Sequence, residues 1–285
     1  MGRLGSALAL AMSDAGFTLS QIVYRSGSAS GVLDGQIPEA QRIRFADLTS
    51  IEAEILFITT ADLEIESTAH AIDRLVGPGT VVLHASGALS SEILGVLKQK
   101  GCATGSMHPL LSVSEPVRAA QNFADAYFCI EGDDAAVSAA VEIVNALGGR
   151  PFSIGSDLKA LYHAAAVMAS GHLTALADLA ATVLAHCGVR AADPMEVLLP
   201  LIKSTVGNLA VQSPSDAMTG PIARGDLNTV RRHVQAFDDA GLERAREVYL
   251  SLAAWAAELV GTRGTGNAGK NEIAEFIKLA QGSGR

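Results

Sequence analysis

The chain has 285 residues, enough for about two domains at roughly 150 residues each and for a substantial core. A formal net charge of -9, from 21 Lys and Arg against 30 Asp and Glu, leaves no electrostatic footprint for a phosphate backbone, so no nucleic-acid partner is expected. With 49% hydrophobic and only 18% charged residues, and a mean hydropathy of +0.29, the chain folds and is not disordered.

The opening Met1-Gly2-Arg3-Leu4-Gly5-Ser6 lacks the apolar core of a signal peptide, and no run approaches the ~18 uninterrupted apolar residues of a membrane span. A cytoplasmic protein with no membrane partner is expected. Gly2 and Gly5 open a helix over about residues 4–15. A strand, Gln21-Ile22-Val23-Tyr24, runs into Arg25 and Ser26. A second strand, residues 54–58, ends in Ile58-Thr59-Thr60-Ala61-Asp62, where Asp62 reads as the N-cap of a helix over 62–76. A third, residues 80–83, ends in Leu83-His84-Ala85-Ser86-Gly87 ahead of a helix over 89–99. Residues 127–130 read as a strand and 133–147 as a helix, with Gly16, Gly77, Gly101 and Gly148 as helix stops.

Strand, helix, strand in repetition predicts an α/β domain with a doubly wound parallel sheet. After Ile154 the β signal disappears, and Leu161, Ala165, Met168, Leu173, Leu176 and Leu179 recur at helical spacing. The expected division is therefore a sheet domain, residues 1–154, and an all-helical domain, residues 155–285, packed directly so that a cleft forms between them. Trp255, in an apolar helix, is expected in the core. Cys102, Cys129 and Cys187 are expected as buried free thiols of a reducing compartment. The seven histidines show no metal-ligand spacing, so no metal is expected.

Gly2-Arg3-Leu4-Gly5 fits the second half of a Gly-x-Gly-x-x-Gly turn, in which backbone N–H groups and a helix N-terminus meet a pyrophosphate. A plain glycine-containing helix start fits the four residues equally well. The first glycine and the strand before it are absent from the chain; an initiator placed too late, inside a Gly-Met-Gly turn, would account for both. About 20 residues on, Arg25 and Ser26 stand where NAD-binding proteins carry an acid, so the reading is NADP, with NAD as the alternative. Thr59, Thr60, Ser86 and Gly87, at strand ends, complete the expected cofactor site. Ser86 and Gly87 are expected to approach the nicotinamide.

Lys159, His163 and Ser170 fall on one helical face at 3.6 residues per turn. They are the catalytic candidates. An interdomain helix with Lys159 solvated and His163 bonded to backbone fits equally well. His108, before Pro109, either closes the cleft over substrate or ends a strand, and the second is preferred. Arg224 either grips a substrate carboxylate or forms a structural salt bridge, while Asp226 is expected as an N-cap.

The blocks Leu83-His84-Ala85-Ser86-Gly87, Met107-His108-Pro109-Leu110, the Tyr162–Ser170 segment with Leu199-Pro200-Leu201 and Leu209, and Thr219-Gly220-Pro221-Ile222-Ala223-Arg224-Gly225-Asp226 resemble the family that joins a Rossmann-like domain to a helical domain of unknown function. The resemblance spans nearly the whole chain. It implies an architecture similar to pyrroline-5-carboxylate reductase, deazaflavin-dependent NADP reductases and β-hydroxyacid dehydrogenases. A helical dimerisation domain of the 6-phosphogluconate dehydrogenase kind comes with it, as do NAD(P) binding and oxidoreductase activity. Lys159 and His163 look like the lysine–asparagine pair, four apart, that acts on the substrate oxygen in β-hydroxyacid dehydrogenases. This chain departs from the family at its missing first strand and at Gly171, where relatives carry asparagine. The reading is a homodimeric NADP-dependent oxidoreductase acting on a small carbonyl or imine. The rivals are an NADP(H)-binding sensor or scaffold without turnover, and a truncated inactive paralogue.

Overall fold

The computed structural model describes residues 2–25, 33, 35–189, 192–261 and 268–282. It divides into two compact units, Met1–Ser170 and Gly171–Arg285, so the helix that follows the last strand belongs with the sheet. The first unit runs α1 (Arg3–Asp14), β1 (Gln21–Tyr24), β2 (Gln41–Arg44), β3 (Ile55–Ile58), α2 (Asp62–Ile72), β4 (Val81–His84), α3 (Gly95–Lys98) and β5 (Ala103–Pro109). It continues with α4 (Pro116–Gln121), β6 (Tyr127–Gly132), α5 (Asp134–Ala146), β7 (Arg150–Ser153) and α6 (Lys159–Val167), which a π turn, Met168–His172, prolongs. The second unit holds α7 (Leu173–His186), α8 (Pro194–Val211), α9 (Pro214–Ala217), α10 (Pro221–Arg224), α11 (Leu227–Asp239), α12 (Glu243–Gly261) and α13 (Ala268–Gly282).

Five strands form one sheet in the order β3-β4-β5-β6-β7, while β1 and β2 pair in parallel as a separate two-stranded sheet. Val82 and Leu83 show why the sheet is covered twice. Successive side chains point to opposite faces, so Val82 joins Ile65, Ala69, Ile72 and Leu97 of α2 and α3, while Leu83 joins Ala7, Leu8, Ala140 and Ile143 of α1 and α5. Each fully buried Ile or Leu of these layers contributes roughly 1.5–3 kcal/mol. Gly105 on β5 lets α5 lie close, since a Cβ there would stand 2.9 Å from Ala136 Cβ and from Leu83 Cδ2.

One pairing departs from the all-parallel expectation: β6 runs antiparallel to β5, with His108 opposite Cys129 and Pro109 opposite Phe128. The chain leaves β5 and, after α4, re-enters β6 at the same end of the sheet, Leu110 N–H donating to the Tyr127 carbonyl, as an antiparallel pair allows. That reversal brings the start of β6 beside the carboxyl ends of β3, β4 and β5. Asp62 is also corrected. The N-cap of α2 is Ala61, and Asp62 and Glu64 lie inside the first turn, where carboxylates favour the helix dipole.

In the second unit α11, α12 and α13 share a core of Val230, Val234, Leu250, Ala253, Ile273 and Ile277. Asp226 caps α11 as expected, accepting from Thr229 N–H at 3.0 Å. Trp255 is not in this core. It is 68% exposed, because α12 buries the face carrying Ala253, Ala256, Ala257 and Val260. Cys187 is likewise exposed, while Cys102 and Cys129 are buried free thiols. Residues 156–186 form a helical run long and apolar enough, by length and composition, to cross a membrane. Lys159, near its start, is buried in the sheet unit, which places that end of the run in protein.

Candidate active site

The carboxyl ends of β3 and β4 adjoin, Ile58 facing His84 in register and Ala85 N–H donating to the Ile58 carbonyl. Beyond β3, Thr59 and Thr60 line a cavity of ≈ 420 Å³ together with Gly2, Tyr24, Arg25, Ala61 and Glu64. Four of the expected cofactor residues, Gly2, Arg25, Thr59 and Thr60, thus share one cavity. The Thr60 hydroxyl is buried there with no hydrogen-bond partner among the described residues. Gly2 is the N-cap of α1, whose first turn carries no acid, so the free N–H groups of Arg3, Leu4 and Gly5 keep their positive end. Leu4 and Gly5 otherwise serve packing: Leu4 lies against the core and Gly5 is buried. Arg25 is paired with Glu64 of α2, an arrangement a carboxylate-poor phosphate site would lack. Ser26 lies outside the described residues.

Beyond β4 the site is polar and buried. The Ser86 hydroxyl accepts from Ala88 and Leu89 N–H, both at 3.1 Å, and so shapes the turn. The Lys159 ammonium, on the first residue of α6, donates to the Ser86 carbonyl at 3.0 Å and to the Ser106 hydroxyl at 2.8 Å. Lys159 is only 1% exposed, which corrects the picture of a solvated interdomain lysine; the sheet needs its charge to tie β4 and β5 to α6. Burial pushes its pKa down from the ordinary lysine value, against a smaller opposing pull from Cys129, Glu131 and Asp62.

His108 and His163 meet over Gly87. A Cβ on Gly87 would lie 2.6 Å from His163 Cδ2 and 2.8 Å from both Cε1 and Nε2 of His108, so only glycine leaves this cradle open. His108 Nδ1 is 2.7 Å from the Tyr162 hydroxyl, and the two histidine rings stand edge to face at 6.0 Å. Burial, then the charge of Lys159, holds the His108 pKa down at about 4; burial likewise holds the inner His84 at about 4. His108 therefore both ends its strand and joins the cluster. Ser170 falls in the π turn, whose wider pitch breaks the 3.6-residue phase that aligned it with Lys159. Arg224 lies in the other unit, at the end of α10.

Sequence reasoning missed Tyr162, Ser106 and Cys129 as members of this site. Tyr162 was legible as the residue beside His163, but only the antiparallel β6 brings Cys129 opposite His108.

Residues 1–109 match the family model of a Rossmann-like domain, and residues 126–255 match that of a domain of unknown function, DUF2520. The chain joins a Rossmann-like domain to a DUF2520 domain. The cluster draws on both: Gly87 and His108 come from the Rossmann-like part, Cys129, Lys159, Tyr162 and His163 from the DUF2520 part. No curated protein matches the sequence. Among solved structures, this Rossmann-like/DUF2520 chain is similar to protein TM1727 of Thermotoga maritima, with TM-score 0.73 and 24% identity over 91% of this chain and 98% of that one. It is also similar to protein BF3122 of Bacteroides fragilis, with TM-score 0.69 and 23% identity over 89% and 93% of the two chains. A third is a reductive aminase of Aspergillus terreus in complex with NADPH and ethyl-5-oxohexanoate, with TM-score 0.54 and 15% identity over 100% and 92%. At these identities the likeness is one of fold.

Proposed function

We propose that this protein is an NADP-dependent oxidoreductase that moves a hydride to or from a small carbonyl or imine, working in the cytoplasm as a homodimer. The observation that carries the reading is the arrangement at one sheet edge. The cavity rimmed by Gly2, Arg25, Thr59 and Thr60 follows β3, and the Gly87 cradle between His108 and His163 follows the adjoining β4. Ligands of doubly wound sheets sit outside these carboxyl ends. The aminase whose fold this chain shares holds NADPH.

The residues present fit a dinucleotide. The orphaned Thr60 hydroxyl calls for a partner in the cavity, and the acid-free start of α1 suits a pyrophosphate held by Arg3, Leu4 and Gly5 N–H groups. Arg25 would take a 2′-phosphate in exchange for Glu64. Ser86 and Gly87 would border the nicotinamide, which supplies the hydride when bound. In this reading His108 and His163 face the reacting group, with Arg224 and Ser170 as further candidates. Lys159 positions the edge by holding the Ser86 carbonyl and the Ser106 hydroxyl.

Titration calorimetry with NADPH and NADH, followed by an NADPH-oxidation screen over small carbonyls and imines, tests the proposal. NADPH is expected to bind more tightly, and Arg25→Ala to weaken NADPH relative to NADH by about 1.5–3 kcal/mol, the worth of one charge-assisted contact. Equal affinities in the unmutated protein would remove the NADP preference. Binding without any oxidation would favour a cofactor-binding sensor.

A further inference from the structure

The hydrogen bond behind His108 points to where its proton sits. Tyr162, on α6, holds its hydroxyl 2.7 Å from His108 Nδ1. The bond can run in only two ways: Nδ1–H donates to the phenol oxygen, or the phenol O–H donates to a bare Nδ1. A phenol is a much stronger donor than a neutral imidazole N–H, and an imidazole nitrogen is a stronger acceptor than a phenol oxygen, so the phenol proton goes to Nδ1. Burial keeps Tyr162 protonated, as this direction requires, by raising its pKa.

A neutral ring whose Nδ1 accepts carries its proton on Nε2. That nitrogen lies at the open cradle, 2.8 Å from where a Gly87 Cβ would stand, and among the described residues none accepts a hydrogen bond from it. The charged and titratable groups that act on His108 are Lys159 and His163 of α6 and His84 of β4. Asp62, which opens α2, and Glu131 of β6 act in turn on Lys159, and Glu131 is engaged by Ser91 N–H and hydroxyl, both at 2.8 Å. The Lys159 ammonium and the two other histidines act on His108 in the same direction, against a second positive charge beside it.

We propose that His108 presents a neutral Nε2–H to the Gly87 cradle as a hydrogen-bond donor for a carbonyl oxygen, so that the site takes a ketone or aldehyde in preference to an iminium cation. An iminium nitrogen has no lone pair to accept this bond and would meet the Lys159 field unscreened. The choice of substrate class rests on the oxidoreductase reading; the proton position does not. Tyr162 is then a positioning residue that selects the tautomer.

The test is nitrogen-15 NMR of the full chain labelled at histidine, with His108 assigned by the signals lost in His108→Asn. At neutral pH the Nε2 signal is expected in the protonated range and Nδ1 in the unprotonated range, with no cofactor present. Tyr162→Phe should release this preference and move both signals toward a mixture of tautomers. An Nδ1–H ring in the unmutated protein, or no change in Tyr162→Phe, overturns the donor assignment. With saturating NADP⁺, cyclohexanone should shift the Nε2 signal and 1-methyl-1-pyrrolinium should not. An equal or larger response to the pyrrolinium, or none to the ketone, overturns the substrate class. If NADP⁺ alone moves the signal and cyclohexanone adds nothing, the carbonyl bound is the nicotinamide carboxamide and the ketone assignment falls. A protein that binds no NADP⁺ but shows the Nε2–H ring defeats the oxidoreductase reading alone.

Discussion

Gly87 shows how tightly a single position can be set by its neighbours. Its missing side chain is the space between two imidazoles, and Gly87→Ala would force the rings of His108 and His163 apart. Overpacking of this kind costs about 1–3 kcal/mol, read as a lower urea midpoint with an unchanged slope. The histidines behind the cradle give a second expectation. His84 and His108 have folded-state pKa values of about 4 against an ordinary 6.5, so between those values the unfolded chain binds more protons than the folded one. Stability is fully present above pH 6.5 and is lost as pH falls toward 4, by on the order of 3 kcal/mol for each histidine. Urea unfolding from pH 8 to 4 checks this, and His108→Gln should make the decline shallower. Of the site, His84, Ser86, Gly87, His108, Lys159 and His163 were legible as polar residues at strand ends or on one helix face. Their contacts were not, because nothing local announces that Lys159 is buried and bonded to the Ser86 carbonyl and the Ser106 hydroxyl.

The elements differ in how well the sequence announced them. β3, half-buried at the sheet edge, and β4, mostly buried, are apolar runs of β-branched, leucine and aromatic residues, and they formed where that pattern predicts. β5 is a run of small residues, Ala103-Thr104-Gly105-Ser106, which carries little β propensity but is required where α5 crosses closely. β2 is short and polar, and its Arg42 is held by the Leu33, Ile37 and Ala40 carbonyls, a set of contacts no local pattern encodes. The expected helix over 89–99 is instead a 3₁₀ turn followed by α3, Gly95 weakening the middle of the run. The separate β1–β2 ribbon and the buried β4–β5 pair should open at different free energies. Hydrogen exchange by mass spectrometry is expected to show β1 and β2 exchanging at least tenfold faster than β4 and β5. Equal protection would mean that both sheets open only with global unfolding.

At the scale of the molecule, α7 and α8 bury no residue in the chain described, although Leu173, Leu176, Val197, Leu199, Leu201 and Leu209 point outward. Apolar side chains left exposed along two helices are the kind of surface that takes a partner. A second copy of the chain is the occupant the proposed function calls for. Sedimentation equilibrium is expected to return twice the chain mass, and the double substitution Val197→Glu with Leu201→Glu to return the monomer; a monomeric parent protein would refute the dimer. The fold class was fixed by the sequence alone, because the alternation of buried strands and amphipathic helices, and the loss of β signal after Ile154, are local patterns with one common solution. Only the tertiary structure decided that β6 turns back along β5, that α6 belongs with the sheet, that Trp255 faces outward, and that the Tyr162 hydroxyl meets His108 Nδ1. Those outcomes depend on contacts between residues far apart in the chain, where close packing and the demand that every buried polar group find a partner select among arrangements the local pattern leaves equal.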